Sequence, residues 1–381
     1  MVNRRILAPL LLAACSALAL AGCAPDAGSG ASTDAAGALD GEAPAAAVAA
    51  VDAADAGAGQ LLVGNKSAAS IWRLSMADGS RLGEAATGEG PHEIAVSPDG
   101  RIAVVADYGS GAVEGSTLTV LDLGGGPARS IDLGENTRPH GLRFLPGGLR
   151  LAATTEGSDA LVVVDVEGGV VERAIGIGPG KGHMVALSGD GGVAYVSKVG
   201  SGDLVRVDLA AAMAAEDDAA RAAAVREAPA GAGAEGIDVA PDGTVWVSNR
   251  EDGTVTVHDP DSLEVLDTLS SPGFPIRLIF TPDGRHALVT NARAATLSVF
   301  DAASREAVAT VALEPEGVEL HETMLGHAAL PIGAIADPAG GRVFVAVSGA
   351  DRIAVIDTAT WTVSEYWQTG REPDALGIVA P

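Results

Sequence analysis

The sequence of 381 residues is poor in aromatic residues, in basic residues and in cysteine. Phe, Trp and Tyr make up only 3% of it, so Val, Ile, Leu and Ala must fill its core. Only 24 Lys and Arg stand against 50 Asp and Glu, which gives a formal net charge of −26. Such a charge disfavours nucleic acid and anionic lipid headgroups as electrostatic partners. We therefore expect no nucleic-acid partner.

Several motifs that would assign a function are missing as well. The sequence has no C-x-x-C-H for covalent haem, no EF-hand loop and no G-x-S-x-G nucleophile elbow. The segment GIGPGKGH, which begins at Gly176, is similar to a phosphate loop, but its spacing differs and no strand–helix unit surrounds it. We therefore expect an ordinary turn at this segment, and no covalent haem.

Residues 1–22 are typical of a signal peptide. MVNRR is basic, ILAPLLLAACSALAL is apolar but short for a transmembrane span, and LAGC ends the segment at Cys23. This end resembles the lipobox of bacterial lipoproteins, in which the cysteine becomes lipidated and forms the new N-terminus. Cleavage there removes Cys15, so the mature chain would hold one lipidated cysteine and no disulfide. An ordinary secretory signal with an incidental cysteine is the alternative.

The resemblance implies a protein anchored by lipid in the cell envelope. Ala24, rather than Asp, follows the lipidated position, which implies the periplasmic face of the outer membrane if the bacterium has two membranes. Residues 23–59 are rich in Ala, Gly, Asp and Ser and have almost no large apolar side chain. Such a segment cannot bury enough surface to offset the entropy of ordering it, so we expect a flexible linker.

From Gln60 onwards the sequence repeats one pattern, in which a proline or small residue and one variable residue precede a short apolar strand and a tight turn. Six complete units begin with PHEIAVSPDG, PHGLRFLPGG, GHMVALSGDG, AEGIDVAPDG, PIRLIFTPDG and PIGAIADPAG. Each unit has four short strands separated by turn residues. This composition and a period on the order of 45 residues are typical of propeller blades.

The two ends of the repeat region complement each other. Residues 60–88 hold the last three strands of a further unit but lack the first, and DALGIVA, which begins at Asp374, supplies such a strand. Sharing one blade between the chain ends removes the open edge of the ring. The sequence thus predicts an all-β fold, a seven-bladed β-propeller over residues 60–381 whose C-terminal strand completes the N-terminal blade.

The units resemble the YVTN-type repeats of seven-bladed propellers, a family that shades into lactonase-like and quinoprotein-like propellers. The most similar unit is RHALVTNARAATLSVFDAASREAVATV, from Arg285 to Val311. The resemblance covers about residues 60–381. It implies the fold, whereas the family hosts binding proteins and several chemistries.

One position of the repeat is rich in histidine. The first strand of a propeller blade lines the central channel, so the second residue of each unit is expected at one channel mouth. Five consecutive blades would then offer imidazole or carboxylate there, which bind Zn, Cu, Fe or Mn and also serve acid–base catalysis. The alternative is that these polar residues only bond neighbouring blades or water. In ring order the position is occupied by Asp374, His92, His140, His183, Glu235, Ile276 and Ile332.

Two further groups of residues are expected near this mouth. The long loop Leu313–Gly333 carries His321, Glu322 and His327 and could cover the channel beside the isoleucine blades. Loops between second and third strands carry candidates for binding an anionic ligand, with solvated loop charges as the alternative. The candidate metal ligands are His92, His140, His183, Glu235, Asp374, His321 and His327, and the candidate ligand-binding residues are Lys66, Lys198, Arg250 and Arg293.

Other repeated or unusual residues receive structural explanations. The Ala-rich segment that begins at Leu209 is predicted to be a surface helix inserted between outer strands. His258 and His286 lie in other registers and are expected at the surface. The third strand of each unit ends in an Asp that is expected to cap the following turn. These residues are Asp122, Asp165, Asp208, Asp259, Asp301 and Asp357.

Three functions remain open. The first is a lipid-anchored module, expected to be monomeric, that binds a small anionic ligand or an envelope protein through its channel mouth. The second is an enzyme, either a lactonase-like hydrolase or a lyase similar to streptogramin lyases, whose propellers use His and Glu with a divalent ion. The third is a metal carrier or sensor. We favour the first because no complete catalytic constellation can be named from the sequence.

Overall fold

The computed structural model describes residues 59–381. The predicted signal peptide (1–22), Cys23 and nearly all of the predicted linker (23–59) lie outside the described residues. Within residues 59–381, no helix is both long and apolar enough to cross a membrane.

Seven four-stranded antiparallel sheets are the blades of a propeller. We number the blades by their innermost strand, so that blade 1 carries His92 and blade 7 carries Asp374. The three outer strands of blade 7 are β1 (Gln60–Asn65), β2 (Ser70–Ser75) and β3 (Arg81–Ala86), with a short 3-10 helix at Lys66–Ala68. Blade 1 consists of β4 (Pro91–Val96), β5 (Ile102–Gly109), β6 (Glu114–Asp122) and β7 (Arg129–Asp132). Blade 2 consists of β8 (Pro139–Phe144), β9 (Arg150–Thr155), β10 (Ala160–Asp165) and β11 (Val170–Gly176).

Blades 3 to 6 follow in the same order. Blade 3 consists of β12 (Gly182–Leu187), β13 (Val193–Lys198), β14 (Asp203–Asp208), the helices α1 (Leu209–Ala214) and α2 (Asp218–Ala223), and β15 (Val225–Pro229). Blade 4 consists of β16 (Ala234–Val239), β17 (Val245–Asn249), β18 (Thr254–His258) and β19 (Val265–Ser270). Blade 5 consists of β20 (Pro275–Phe280), β21 (His286–Asn291), β22 (Thr296–Asp301) and β23 (Ala307–Ala312). A hairpin of β24 (Glu322–Thr323) and β25 (Gly326–His327) precedes blade 6, which consists of β26 (Pro331–Ala336), β27 (Arg342–Val347), a 3-10 helix at Ser348–Ala350, β28 (Arg352–Asp357) and β29 (Thr362–Gln368).

The last strand, β30 (Pro373–Val379), closes the ring. It pairs antiparallel with β1, with Leu62 opposite Gly377, so blade 7 has the strand order β3-β2-β1-β30. Each inner strand also contacts the inner strands of the two adjacent blades, which closes the circle around the channel. The predicted seven-bladed ring and its shared blade are therefore confirmed.

Apolar side chains fill the spaces between adjacent blades. Val104, Leu118 and Leu151, for example, are fully buried between blades 1 and 2. Burying each such side chain contributes roughly 1.5–3 kcal/mol. Because each blade covers one face of the next, the short apolar strands of the sequence become a continuous core only after the ring closes.

Each inner strand has a β-bulge near its start. In blade 1, Pro91 pairs with Asp107 and Ile94 with Val105, so that His92 and Glu93 lie opposite a single residue. The same irregularity recurs in the other six inner strands. A bulge turns side chains away from the regular pleat. It is therefore the repeated backbone feature that sets the position of the channel-mouth residues.

Hydroxyl side chains opposite the bulges join adjacent blades. Thr290 accepts a hydrogen bond from the backbone N–H of Arg277 in its own blade and donates one to the carbonyl oxygen of Ile332 in the next. Thr154, Ser197 and Ser248 make the equivalent pair of bonds in blades 2, 3 and 4. Small residues also allow close approach, since a Cβ added at Gly333 would collide with the carbonyl oxygen of Asp374. These contacts fix the spacing of the mouth residues around the ring.

The turn caps follow the sequence prediction, and the insertion differs from it. All six aspartates at the ends of third strands accept backbone N–H groups of the following turn or helix. The insertion that begins at Leu209 forms two short helices instead of one. Asp217 starts a new helix by accepting the N–H of Ala220, and the extended residue Ala215 separates the two.

Candidate active site at the channel mouth

Three stacked histidine rings form the centre of the site. The ring centroids of His92 and His140 lie 4.2 Å apart, and those of His140 and His183 lie 3.8 Å apart. Each ring comes from the bulge of a different inner strand, in blades 1, 2 and 3. Residues that are far apart in the sequence thus meet in one layer because they share a register of the repeat.

Two arms extend from the central His140. On one side, Nε2 of His183 lies 3.1 Å from Oε1 of Glu235, and Oε2 of Glu235 accepts a 2.6 Å hydrogen bond from Arg250. We call His183, Glu235 and Arg250 the His183 arm. Its residues come from blades 3 and 4, in ring order.

The opposite arm has the same composition. Nδ1 of His92 lies 2.9 Å from Oδ2 of Asp374, and Nζ of Lys66 lies 3.1 Å from Nε2 of His92 and 3.5 Å from Oδ2 of Asp374. We call His92, Asp374 and Lys66 the His92 arm. In each arm a histidine binds the carboxylate of the adjacent blade, and a basic residue of that blade binds the carboxylate.

Glu156 and Tyr108 make the two arms unequal. Oε1 of Glu156 contacts Nδ1 of His183, and Oε2 of Glu156 accepts a 2.6 Å hydrogen bond from the hydroxyl of Tyr108. The Tyr108 ring meets the rings of His92 and His140 edge-on, at 4.8 and 5.7 Å between centroids. His183 therefore lies between two carboxylates, whereas His92 lies beside one.

Sequence reasoning missed Glu156 and Tyr108. Both occupy the position directly after the residue that pairs with the first residue of the inner strand, as Lys66 and Arg250 do. A second aligned register, parallel to that of the histidines, was the signal that could have identified them.

The pKa values follow from burial and from this unequal distribution of carboxylates. Burial would lower the pKa of His183, but Glu235 and Glu156 outweigh it and raise the value to about 10. Burial would raise the pKa of Glu156, yet the charge of His183 lowers it to about 2. The pKa of Asp374 is held below its usual range, because His92 and Lys66 outweigh the effect of burial. His183 is thus an imidazolium held between the carboxylates of Glu156 and Glu235.

His140 differs from both neighbouring histidines. Only 2% of the residue is exposed, and neither ring nitrogen has a hydrogen-bond partner within the described part of the chain. Burial lowers its pKa well below the usual value, and the neighbouring charges of His183 and His92 lower it further. A buried polar group without a partner is costly, so the two free nitrogens mark a place for a ligand.

A charged pair spans the channel next to this layer. Arg277 of blade 5 donates to Glu93 of blade 1, and its Nη1 lies 3.4 Å from the sulfur of Met184. Both charged residues directly follow mouth residues in their bulges. A cavity of about 170 Å³ along the channel is lined by this pair and by Arg143, Ile279 and Ile335. The pair therefore separates the histidine layer from the rest of the channel.

The other predicted residues lie outside the layer. Lys198 is buried away from it, where Nζ donates to Glu227 and to the carbonyl oxygen of Ile177. Arg293 is exposed and lies 3.8 Å above the ring of Phe274. The structure thus brings together Lys66 and Arg250 but places Lys198 elsewhere, because its side chain points between blades and not into the mouth.

The histidines of the long loop also stay apart from the layer. His321 lies 3.5 Å from Asp351 at the side of blade 6, and His327 is exposed in the hairpin. The structure therefore groups five of the seven candidate metal ligands, His92, His140, His183, Glu235 and Asp374, without the two loop histidines.

The expectation that His258 lies at the surface is wrong. His258 is fully buried, and its ring nitrogens bond the carbonyl oxygen of Leu263 and the hydroxyl of Thr256. It occupies the place that Phe300 takes in the next blade, which faces the core. His286 is half-buried against Trp361.

Comparison with known families identifies this type of propeller. The sequence model of the family described as "Lactonase, 7-bladed beta-propeller" matches residues 53–310. The chain belongs to this lactonase family. Among curated proteins, none matches the sequence.

Solved structures with the same fold include lactonases and lyases. A periplasmic gluconolactonase of Pseudomonas aeruginosa is 20% identical, with a TM-score of 0.65, over 84% of this chain and 99% of its own. A putative 6-phosphogluconolactonase of Bacteroides fragilis is 16% identical, with a TM-score of 0.65, over 86% and 99%. A catalytically inactive virginiamycin B lyase of Staphylococcus aureus, solved with quinupristin, is 14% identical, with a TM-score of 0.61, over 83% and 95%. At these identities the likeness shows the fold, and the lactonase-family membership favours the enzyme over the binding module that we favour from the sequence.

The residues at the channel mouth also fit a metal ion. One ligand atom each from His140, Glu156 and His183 lies within 4.8 Å of the others. Two imidazoles and a carboxylate are a common donor set for divalent transition metals, and the free nitrogens of His140 suit it. An ion there would replace the proton of His183 and its contact with Glu156. The donor set does not select among Zn, Cu, Fe and Mn.

Proposed function

We propose that this protein hydrolyses a lactone at the layer around His140. The observation that carries the proposal is the geometry of His140, a buried imidazole with two unpartnered nitrogens between two histidine–carboxylate arms. Membership in the lactonase family supports it. The enzyme alternative thus replaces the binding module as our preferred function.

His140 has the properties of a general base. Its low pKa keeps the ring neutral, so that a nitrogen can accept a proton from water as the water oxygen attacks the lactone carbonyl carbon. His183 holds a fixed positive charge next to it, since both of its nitrogens bind carboxylates. Because both N–H groups of His183 are bound to Glu156 and Glu235, this imidazolium orients the layer and does not itself donate to the carbonyl oxygen.

The remaining steps balance the protons. The bond between the acyl carbon and the ring oxygen breaks, and the leaving alkoxide takes a proton from the Lys66 ammonium, whose side chain is 27% exposed. After the product leaves, His140 gives its proton to water, and Lys66, whose side chain is partly exposed, takes a proton from water, so that both residues return to their starting forms. The product is the open hydroxy acid. If a divalent ion binds at His140, Glu156 and His183, it supplies Lewis-acid polarisation of the carbonyl group.

The test is hydrolysis of unsubstituted γ- and δ-lactones by the purified protein, followed by the acid released in a pH-stat. We expect His140→Gln to reduce kcat/KM at least about 100-fold, the usual contribution of a general base. His286→Gln, at a half-buried histidine that lies against Trp361 outside the layer, is the matched control and should retain the rate. Equal rates for His140→Gln and the unmodified protein would refute the assignment of His140, and no hydrolysis of any lactone would refute the proposed function.

Elemental analysis of the same samples decides the role of a metal. Stoichiometric metal that is lost in His140→Gln, together with loss of activity in chelator, assigns the Lewis-acid form of the reaction. Full activity of metal-free protein assigns the reaction to the side chains alone.

We also propose that Cys23 anchors the protein in the cell envelope by a lipid. The support is the lipobox-like LAGC and the polar linker that follows it. Cys23→Ala should move the protein from the membrane fraction to the soluble fraction, and a variant that stays in the membrane fraction would refute the anchor.

A further inference from the structure

We infer that the substrate carries an apolar substituent on the side of its ring away from the carbonyl carbon, and that Ile276, Ile332 and the β24–β25 hairpin select it. This inference rests on the proposed function and goes beyond it, because it names the substrate class. The reasons are the order of residues around the ring, the apolar cluster there and the hairpin that covers it.

The ring order places the isoleucines opposite the catalytic histidine. Seven blades divide the circle evenly, so the point across from blade 2 falls between blades 5 and 6. Blade 2 carries His140, and blades 5 and 6 carry Ile276 and Ile332 in the same register. A lactone whose carbonyl carbon lies at His140 therefore has its far side against the two isoleucines.

The isoleucines belong to a separate apolar cluster at the mouth. They pack with Phe274, Ala292 and Leu330, and Leu325 and Ala328 of the long loop pack against this cluster from outside. The guanidinium of Arg293 lies 3.8 Å from the ring centroid of Phe274 and that of Arg250 lies 5.2 Å from it, which sets charged groups at the edge of the cluster. One side of the mouth thus offers hydrocarbon, where the other five blades offer charge.

The hairpin rests on this cluster through few contacts. Its strands are two residues long, and among the hairpin residues themselves only Leu325 packs against the cluster, whereas the flanking parts of the loop are held by backbone hydrogen bonds to blade 6. Met324 at its tip is 89% exposed. Residues 53–310 match the family, so the hairpin lies outside the matched region. It is a part of this chain that can give it a substrate preference of its own.

We call Ile276, Ile332 and Leu325 the apolar wall, and this wall predicts which lactones react best. A hydroxyl or phosphate that lies directly against Ile276 and Ile332 would have hydrocarbon there instead of a hydrogen-bond partner, which is costly. Arg250 and Arg293 reach only the edge of the cluster. An alkyl substituent is instead removed from water there. The expected gain in kcat/KM is about two- to fourfold for each methylene that the wall covers.

The experiment compares γ-butyrolactone with γ-lactones that carry alkyl chains of increasing length. For the unmodified protein, kcat/KM should rise with the length of the alkyl chain. The ratio of kcat/KM for γ-nonalactone to kcat/KM for γ-butyrolactone should fall towards one in both Ile332→Thr and Leu325→Ser. Leu325 is only half-buried in the loop, so this variant tests the wall even if Ile332→Thr does not fold. Val265→Thr, at an exposed apolar residue of the outer strand β19, is the control and should keep the ratio.

Calorimetric titration of His140→Gln with γ-nonalactone separates this inference from the proposed function. Tighter binding of γ-nonalactone than of γ-butyrolactone, lost when Leu325→Ser is added, supports the apolar wall even if no lactone is hydrolysed. Equal affinities, or a length dependence that survives in both wall variants, would overturn it. Failure of hydrolysis alone counts against the proposed function.

Discussion

The two arms beside His140 contain the same kinds of residue but differ in their charge. In the His183 arm, the histidine binds Glu235 and also Glu156, and its pKa is raised to about 10. In the His92 arm, the histidine has Asp374 as its carboxylate partner and Lys66, a cation, beside its other nitrogen. The comparison shows that the repeat determines where a side chain lies, and that the carboxylates around His183 raise its pKa.

The most severe test of this difference removes each histidine in turn. His183→Ala leaves two buried carboxylates without their shared cation and should lower the free energy of unfolding by about 3–5 kcal/mol. His92→Ala leaves Asp374 with Lys66 and should cost less, about 1–2 kcal/mol. Urea unfolding of both variants measures the difference. Equal losses in the free energy of unfolding would show that the Glu156 carboxylate does not add to the stability of the His183 arm.

A dependence of stability on pH should follow from the Glu156–His183 pair. The folded pKa of Glu156, about 2, is below the unfolded value, so its contribution is present above about pH 4.5 and is lost as the pH falls towards 2. The folded pKa of His183, about 10, is above the unfolded value, so its contribution is present below about pH 6.5 and is lost as the pH rises towards 10.

Glu156→Gln should therefore flatten both limbs of the stability profile. The acid limb corresponds to at most about 3 kcal/mol, from the shift of the Glu156 pKa. Urea unfolding between pH 3 and pH 9 measures it, with Glu167→Gln at an exposed carboxylate of the turn after β10 as the control. If stability depends on pH in the same way in the unmodified protein and in Glu156→Gln, the proposed charge pair of Glu156 and His183 is contradicted.

A smaller effect is expected when the hydroxyl that holds Glu156 is removed. Tyr108→Phe keeps the ring between His92 and His140 but deletes the 2.6 Å hydrogen bond to Glu156. The loss should be about 1–2 kcal/mol. The acid limb should also move to higher pH, because the carboxylate loses a donor that lowers its pKa. An unchanged acid midpoint would place the hydroxyl outside the network.

The outer cations should contribute least. The side chains of Lys66 and Arg250 are 27% and 28% exposed, so solvent screens their ion pairs and each contributes about 1 kcal/mol or less. Lys66→Met should nevertheless cost more than Arg250→Met, because Lys66 contacts both His92 and Asp374, whereas Arg250 contacts only Glu235 within the layer. Thermal unfolding of the two variants beside Arg101→Met, at an exposed surface pair, tests this order.

The sequence predicted the ring and much of the site because both repeat. Because the first unit lacks one strand and the segment at Asp374 supplies it, the sequence predicted a closed ring. The aligned units then placed His92, His140 and His183 together. The bulge does not disturb such an alignment, since all seven inner strands share it.

The remaining details depend on side-chain directions that a register does not reveal. Lys198 is the last residue of the second strand of its blade, whereas Arg250 is the first residue after its second strand, so Lys198 points between blades and Arg250 points into the mouth. The prediction for His258 was wrong because a position outside the mouth register can face the core as well as the solvent. The break in the Ala-rich insertion depends on Asp217, whose preference for starting helices competes with continuation of the first one.

Closure of the ring by β30 has a consequence for biosynthesis. Asp374 lies on β30, the strand that completes blade 7. During translation, every other member of both arms is therefore made before this carboxylate leaves the ribosome. A chain that stops before β30 lacks both the strand that closes the ring and the anion opposite His92, so such products should be prone to proteolysis.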